Sequence, residues 1–233
     1  MIICIETATN LCSVALCDSS GVLSLRESND QRSHSSMLTV YIGEILKETS
    51  VDPSGLEAVA VSKGPGSYTG LRIGVSVAKG IAFAASIPLI GIETTLSMFI
   101  GMKERFHKEG NTDGDTMFCP MLDARRMEVY YAMYDLSGNR IKEISAEIIT
   151  ENSFSSIPDS QNIIFFGDGA LKCKNIIKRK NSAFVDDFEM SAANMKIPAI
   201  QALESGHFEN VAYFEPFYLK DFITTTQRKN ILG

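Results

Sequence analysis

The chain has 233 residues, room for one large domain or two small ones, and its 45% apolar content is that of a globular protein with a sizeable core. With 22 basic and 28 acidic residues the net charge is −6. That excludes a globally basic nucleic-acid binder and leaves any RNA contact to a local patch or to a partner. The five cysteines, Cys4, Cys12, Cys17, Cys119 and Cys173, are scattered and never spaced Cys-x-x-Cys. Their pattern argues against a zinc site or disulfide framework and for a reducing cytoplasmic setting. The run Ile2–Ile5 ends at Glu6, too short for a signal peptide, and no stretch approaches the roughly 20 apolar residues of a membrane span.

In chain order, Ile2–Ile5, Cys12–Cys17 and Val22–Leu25 read as three strands separated by turn residues. Residues 34–48 read as a helix with Met37, Leu38, Tyr41, Ile42, Ile45 and Leu46 on one broad face, with Ser33 as its cap. A strand, Ala58–Val61, leads into a long helix rich in small residues that stops at Pro88. Leu89–Ile92 is a fifth strand, and Thr95–Arg105 a helix. The second half repeats this order. Met117–Leu122, Val129–Tyr134 and Ile141–Ile149 are strands, a short helical patch lies near Phe154, and Ile163–Phe166 is a strand. A helix then opens at Gly167 and runs to about Lys180, followed by strand Ala183–Val185 and helix Ala192–Leu203. The polar stretch 108–115 marks a boundary, which predicts one lobe over 1–107 and a second over 108–233. The fold class is a duplicated α/β layout, each lobe a mixed sheet with helices on its faces and a ligand cleft between them.

The segment Lys63-Gly64-Pro65-Gly66-Ser67-Tyr68-Thr69-Gly70-Leu71-Arg72-Ile73-Gly74-Val75 is a strand–turn–helix junction with Ser67 as N-cap. It is not a P-loop, because Gly-Lys-Ser/Thr is absent and Pro65 lacks an N–H. Gly66, Gly70, Gly74, Ala78 and Ala82 recur every fourth residue and draw a stripe of minimal side-chain volume along one helix side. Each interior Gly costs roughly 1 kcal/mol relative to Ala, so close packing is implied. Either the helix lies tightly on its own sheet, or the stripe meets a partner helix.

The runs Ile5-Glu6-Thr7-Ala8-Thr9, Arg32-Ser33-His34-Ser35, Gly64 to Gly74, Asp123-Ala124-Arg125-Arg126-Met127-Glu128-Val129-Tyr130 and Glu215-Pro216-Phe217-Tyr218-Leu219 resemble those of the TsaB (YeaZ) family. These proteins are smaller paralogues of the TsaD proteins that make threonylcarbamoyladenosine in tRNA. The resemblance implies a two-lobed actin-like ATPase fold. It implies a non-catalytic subunit that pairs with a TsaD-type protein, is joined by a TsaE-type ATPase, meets tRNA through that complex, and homodimerises when alone. Mapped onto this chain, the partner interface comprises Met37, Leu38, Tyr41 and Ile45 of one helix, with Gly66, Gly70, Gly74 and Ala78 of the next.

The chemistry-bearing residues point the same way. A paralogue's metal needs His-x-x-x-His, but His34 is followed four residues later by Leu38, so no metal site is expected. An actin-like ATPase follows its first strand with Asp-x-Gly, whereas this chain has Glu6-Thr7-Ala8, and Asp123-Ala124-Arg125 in the second lobe. Gly167-Asp168-Gly169 is a further candidate, so Glu6, Asp123, Gly167, Asp168 and Gly169 are the residues for weak ATP or ADP binding. The serines and cysteines show no Gly-x-Ser-x-Gly elbow or His–Asp pairing. Arg125, Arg126, Lys172, Lys178 and Arg179 are candidates for RNA phosphates, joined by Lys220, Arg228 and Lys229. The competing functions are a stand-alone ATPase or kinase of the same fold and, behind it, a metallopeptidase.

Overall fold

The computed structural model describes residues 1–29, 33–112 and 114–219. The side chains of Ser33, His34 and Ser35, with Arg32, Lys220, Arg228 and Lys229, lie outside what is described, so the readings placed on them do too. The first sheet holds β1 (Ile2–Glu6), β2 (Cys12–Cys17), β3 (Val22–Ser28), β4 (Ala58–Gly64) and β5 (Leu89–Glu93), in the order β3-β2-β1-β4-β5. Its helices are α1 (Ser33–Thr49) and α2 (Tyr68–Ala85), and β5 leads into α3 (Thr94–Lys108). The second sheet holds β6 (Thr116–Asp123), β7 (Glu128–Asp135), β8 (Arg140–Ile148), β9 (Asn162–Phe166) and β10 (Ser182–Val185), in the order β10-β9-β6-β7-β8. In both, an antiparallel meander is extended from its first strand by parallel strands, so the duplication read from the sequence is a duplication of topology.

Strands β1 and β4 are apolar without alternation because both faces are covered. Ile3, Ile5, Val59 and Val61 point to the side of α1 and α2. Ile2, Cys4, Ala58 and Ala60 point to the other side, where they meet Ala192, Met195 and Ala199. Those residues belong to a 3-10 turn, Ala192–Met195, and to α5 (Lys196–Ser205), so the chain returns to the first sheet after building the second. Helix α3 makes the opposite crossing, with Met98, Phe99, Met102 and Phe106 buried against Phe118, Leu122, Tyr134 and Phe166 of the second sheet. A Cβ on Gly101 would overlap the Asn194 side chain where the two crossing segments meet. The expected division at 107/108 is therefore corrected: the first lobe is completed by residues from 192 onward, and α3 belongs to the packing of the second.

Two further expectations fail locally. Around Phe154 the chain forms successive turns and no helix, and Phe154 itself has φ +69°. The helix opening at Gly167 ends as α4 (Asp168–Cys173), well short of Lys180. The N–H groups of Ile176 and Ile177 both turn back to the Cys173 carbonyl, and this bend directs Arg179 toward the 154–161 loop.

The small-residue stripe of α2 faces inward. A Cβ on Gly66 would overlap the Ala8 carbonyl, one on Gly70 the Thr7 carbonyl oxygen, and one on Gly74 the Thr7 hydroxyl. Ala78 and Ala82 are buried in the same core, as are Leu38 and Ile45 of α1. The reading of Gly66, Gly70, Gly74, Ala78, Leu38 and Ile45 as a partner surface is thus corrected. These residues are small or apolar because α1 and α2 lie on their own sheet, and Met37 and Tyr41 are half-buried at its margin. In urea denaturation, Gly70→Ala should lower the unfolding free energy by about 2–4 kcal/mol through overlap with backbone. Gly80→Ala, on the outer side of α2 with nothing near a Cβ, should raise it by roughly 0.5–1 kcal/mol.

Candidate functional site

Between the lobes lies a cleft of about 400 Å³. Its first-lobe wall is the β1–β2 loop, with Thr9 and Asn10, and the β4–α2 junction, with Ser67 and Tyr68. Its second-lobe wall carries Asp123, Arg125 and Asp168, and the segment Phe217–Leu219 closes one side. Ser67 caps α2 as expected, its Oγ accepting from Gly70 N at 3.3 Å. The Glu215–Leu219 signature is seated on this junction: Phe217 N donates to the Lys63 carbonyl at 2.6 Å. Tyr218 packs on Tyr68 with ring centroids 5.1 Å apart, and Arg72 Nε donates to the Tyr218 hydroxyl at 3.1 Å. The Arg72 guanidinium also lies 4.2 Å from the Tyr68 ring centroid, a cation–π contact that holds the group together. Sequence reading assigned Arg72, Tyr68 and Tyr218 to motifs but gave them no role; aromatic and cationic residues in both motifs were the available signal.

A phosphate site needs free backbone N–H groups at such loops. In this cleft the chain occupies many of them itself. Ala8 N donates to Glu6 Oε1 at 2.6 Å, Thr7 N to Ser62 Oγ at 3.3 Å, and Ser67 N to the Ala8 carbonyl at 2.6 Å. In the second lobe Asp123 N donates to Asp168 Oδ1 at 3.0 Å, Ala124 N to the Glu128 carbonyl, and Arg125 N to Asp123 Oδ1 at 2.7 Å. Glu6 does not reach the cleft at all. Its side chain is wholly buried, and burial pushes its carboxyl up to about 7 against the opposing bonds from Ala8, Ser62 and Thr7. Gly167 and Gly169 are explained without a ligand: a Cβ on the first would overlap Met98 and Met121, and on the second would come within 2.7 Å of Leu122 backbone. They let α4 lie directly on β6. Asp168 stays in the cleft wall, its carboxyl raised by desolvation in the concave floor and then by the Asp123 charge. Of the five nucleotide candidates, Asp123 and Asp168 line the cleft; Glu6, Gly167 and Gly169 serve the chain's own packing. Among the described residues no group of three or more His, Cys, Asp or Glu is placed to hold a metal ion.

The cationic candidates divide in the same manner. Lys172 Nζ binds the Arg126 carbonyl at 2.8 Å, the Glu128 carbonyl at 2.7 Å and the Asp123 carboxylate, so it ties down the β6–β7 hairpin. The Arg179 side chain, 4% exposed, donates to the carbonyls of Phe154, Ile157, Pro158 and Gln161. Neither is available to RNA, which corrects both assignments: the Arg179 terminal nitrogens are held by carbonyl oxygens of its own lobe, and Lys172 by two carbonyls and the Asp123 carboxylate. Lys178 is exposed, as are Arg125 and Arg126. The last two hold left-handed backbone at φ +69° and +52°, an unfavourable conformation for non-glycine residues that fixes the hairpin tip beside the cleft.

The duplicated sheets, the crossing helices and a cleft between the lobes define a two-lobed α/β protein of the actin-like type. YeaZ from Pseudomonas aeruginosa has this fold, superposing with a TM-score of 0.78 at 21% identity over 94% of this chain and 99% of that one. Residues 22–222 match the family model described as TsaD, tRNA N6-adenosine threonylcarbamoyltransferase. Over 226 residues the chain is 30% identical to the tRNA threonylcarbamoyladenosine biosynthesis protein TsaB of Escherichia coli (strain K12), covering 94% of each. It is 28% identical over 143 residues to the protein of the same name from Bacillus subtilis (strain 168), covering 61% of this chain and 58% of that one. The chain belongs to the TsaB (YeaZ) family.

The separation of structural from free cations is measurable. Arg179→Met strands four carbonyl oxygens and should lower the unfolding free energy by about 2–4 kcal/mol, whereas Lys178→Ala should stay within about 0.5 kcal/mol of the parent in the same denaturation series.

Proposed function

We propose that this chain acts in the biosynthesis of threonylcarbamoyladenosine in tRNA as a non-catalytic partner of a TsaD-type protein, joined by a TsaE-type ATPase and meeting tRNA through that complex. The observation that carries the partner role is the outer surface of α1 and α2. The two helices lie side by side on the first sheet. Their outer side exposes Val40 at 43% and Phe83 at 82%, and both Gly43 and Gly80 have nothing within 4 Å of a Cβ position. Glycine in the middle of a solvent-facing helix costs stability without return in the isolated chain. Against a second pair of helices it permits close backbone approach, with Phe83 and Val40 supplying apolar area. The interface therefore lies on the sides of α1 and α2 opposite the stripe, and the same surface serves a homodimer when the partner is absent.

A stand-alone ATPase or kinase is the second reading, and the internally satisfied N–H groups of the cleft loops speak against it. Weak ATP or ADP binding stays within the proposal as contact with Asp123, Asp168 and the Tyr68–Tyr218 wall, without hydrolysis. No helix among the described residues is long and apolar enough to cross a membrane, which agrees with action on a soluble RNA.

The deciding assay is threonylcarbamoyl transfer to tRNA by a TsaD-type enzyme, its ATPase and a threonylcarbamoyl-adenylate source, with and without this chain. Transfer should require the chain, and the chain alone should be inert. Transfer indifferent to it would refute the partner role. Phe83→Glu and Gly80→Leu should each weaken pairing at least tenfold, about 1.4 kcal/mol, with the circular dichroism of the isolated chain unchanged and its melting temperature not lowered.

A further inference from the structure

Seven buried side-chain polar atoms among the described residues have no hydrogen-bond partner, and three of them are Glu6 Oε2, Thr94 Oγ1 and Ser97 Oγ. All three residues are fully buried. The alternation of β1 puts Glu6 on the same face as Ile2 and Cys4, the face roofed by the 192–195 turn and α5. Ser62 stands beside Glu6 on β4, one residue beyond the Ile5–Val61 pair, and hydrogen-bonds its carboxyl. Ile90 and Ile92 of β5 share that face; Thr94 opens α3 directly after the strand, and Ser97 is one turn further along the helix. Helix α3 starts without a side-chain cap.

This first turn of α3 is also where the lobes are fastened. Glu93, immediately before it, pairs with Arg140 of β8. The Thr95 hydroxyl lies 3.0 Å from the Tyr134 hydroxyl of β7. Met98 is the side chain that a Cβ on Gly167 would overlap. Charged groups around Glu6 are already engaged elsewhere. On β2, Ser13 opposite Glu6 holds Glu27 of β3 at 2.7 Å; Lys63 at the end of β4 faces Glu209, and Glu93 at the end of β5 is held by Arg140. The first turn of α3 has no acid, the 192–195 turn has no charged residue, Lys196 at the start of α5 acts on the Cys17 end of the sheet, and among the described residues no cation contributes to the Glu6 carboxyl.

We propose that Glu6 enters the folded state as a neutral acid and that its ionisation loosens the seat of α3, making the joint between the two lobes proton-sensitive. A buried carboxylate without a counter-charge is costly, and neutralisation is the route open to it. The sign follows from the shift described above. The native state holds a proton that the unfolded chain, with a carboxyl near 4.5, has released between about pH 4.5 and about 7. The stabilisation is complete below that window and is lost as pH rises through about 7, a change of about 300-fold in the unfolding constant over the whole window.

The test is made on the full chain. The Glu6 carboxyl carbon, assigned by its loss in Glu6→Gln, should titrate near pH 7 by NMR. Hydrogen exchange of the 97–100 amides, the first with intrahelical acceptors, should, after correction for base catalysis, show the opening constant rising about tenfold between pH 6 and pH 8 in the parent. In Glu6→Gln it should be flat. A carboxyl midpoint below pH 5, or an opening constant with the same pH dependence in both proteins, overturns the proposal. Should Glu6→Gln fail to fold, the parent decides: with the Glu6 signal assigned through sequential backbone connectivities, a midpoint near 7 must coincide with the rise in the α3 opening constant, and absence of either overturns the proposal.

Discussion

Neither lobe of this protein can complete its core alone, and this constraint governs the rest of the structure. Helix α3 leaves the first sheet and buries Met98, Phe99, Met102 and Phe106 in the second, while the 192–195 turn and α5 come back to cover the first. Burial of a large apolar side chain contributes about 1.5–3 kcal/mol, so the four α3 residues alone represent a sum comparable with the whole net stability of a domain. The lobes are therefore cooperatively linked, and the cleft between them is bounded by packing on its far side. The Glu93–Arg140 pair and the Thr95–Tyr134 contact act at this joint, where small changes have leverage on both lobes.

The ten strands were legible because each is an apolar or alternating run bounded by turn residues, and the meander-then-parallel order was visible as a repeat. What the small-residue stripe of α2 faces was not. Gly70 and Gly74 announce a close backbone, but a helix side without Cβ atoms reads the same whether the approaching backbone belongs to the same sheet or to another protein. The crossing of α3 and α5 was hidden for a related reason: Met98, Phe99 and Met102 mark an apolar face without saying which sheet it meets. Basic residues mislead more readily still. Lys172 and Arg179 look like free cations in the sequence, and their engagement depends on carbonyl groups of a hairpin and a loop that only folding brings near.

In the cleft the first-strand loop departs from the actin-like pattern in both composition and placement. Replacing Asp-x-Gly by Glu6-Thr7-Ala8 lengthens the acid by one methylene and adds a Cβ to the loop. In the folded chain the longer acid turns inward, takes the Ala8 N–H, and leaves the cleft. The α2 stripe then packs so tightly on this loop, through Gly66, Gly70 and Gly74, that the loop's shape is dictated by the helix beneath it. The outer side of α2 is thereby presented from a tightly packed base.

The return of the chain to its first sheet also has a consequence for how the protein is made. Synthesis is vectorial, and domains generally fold as units in the order they emerge. Here Ile2, Cys4, Ala58, Ala60, Ile90 and Ile92 form one face of the first sheet, and its cover is the segment 192–205. On the ribosome that face stays uncovered while the second lobe is translated, from the end of β5 until the 192–205 segment emerges. The first half of this protein is finished last.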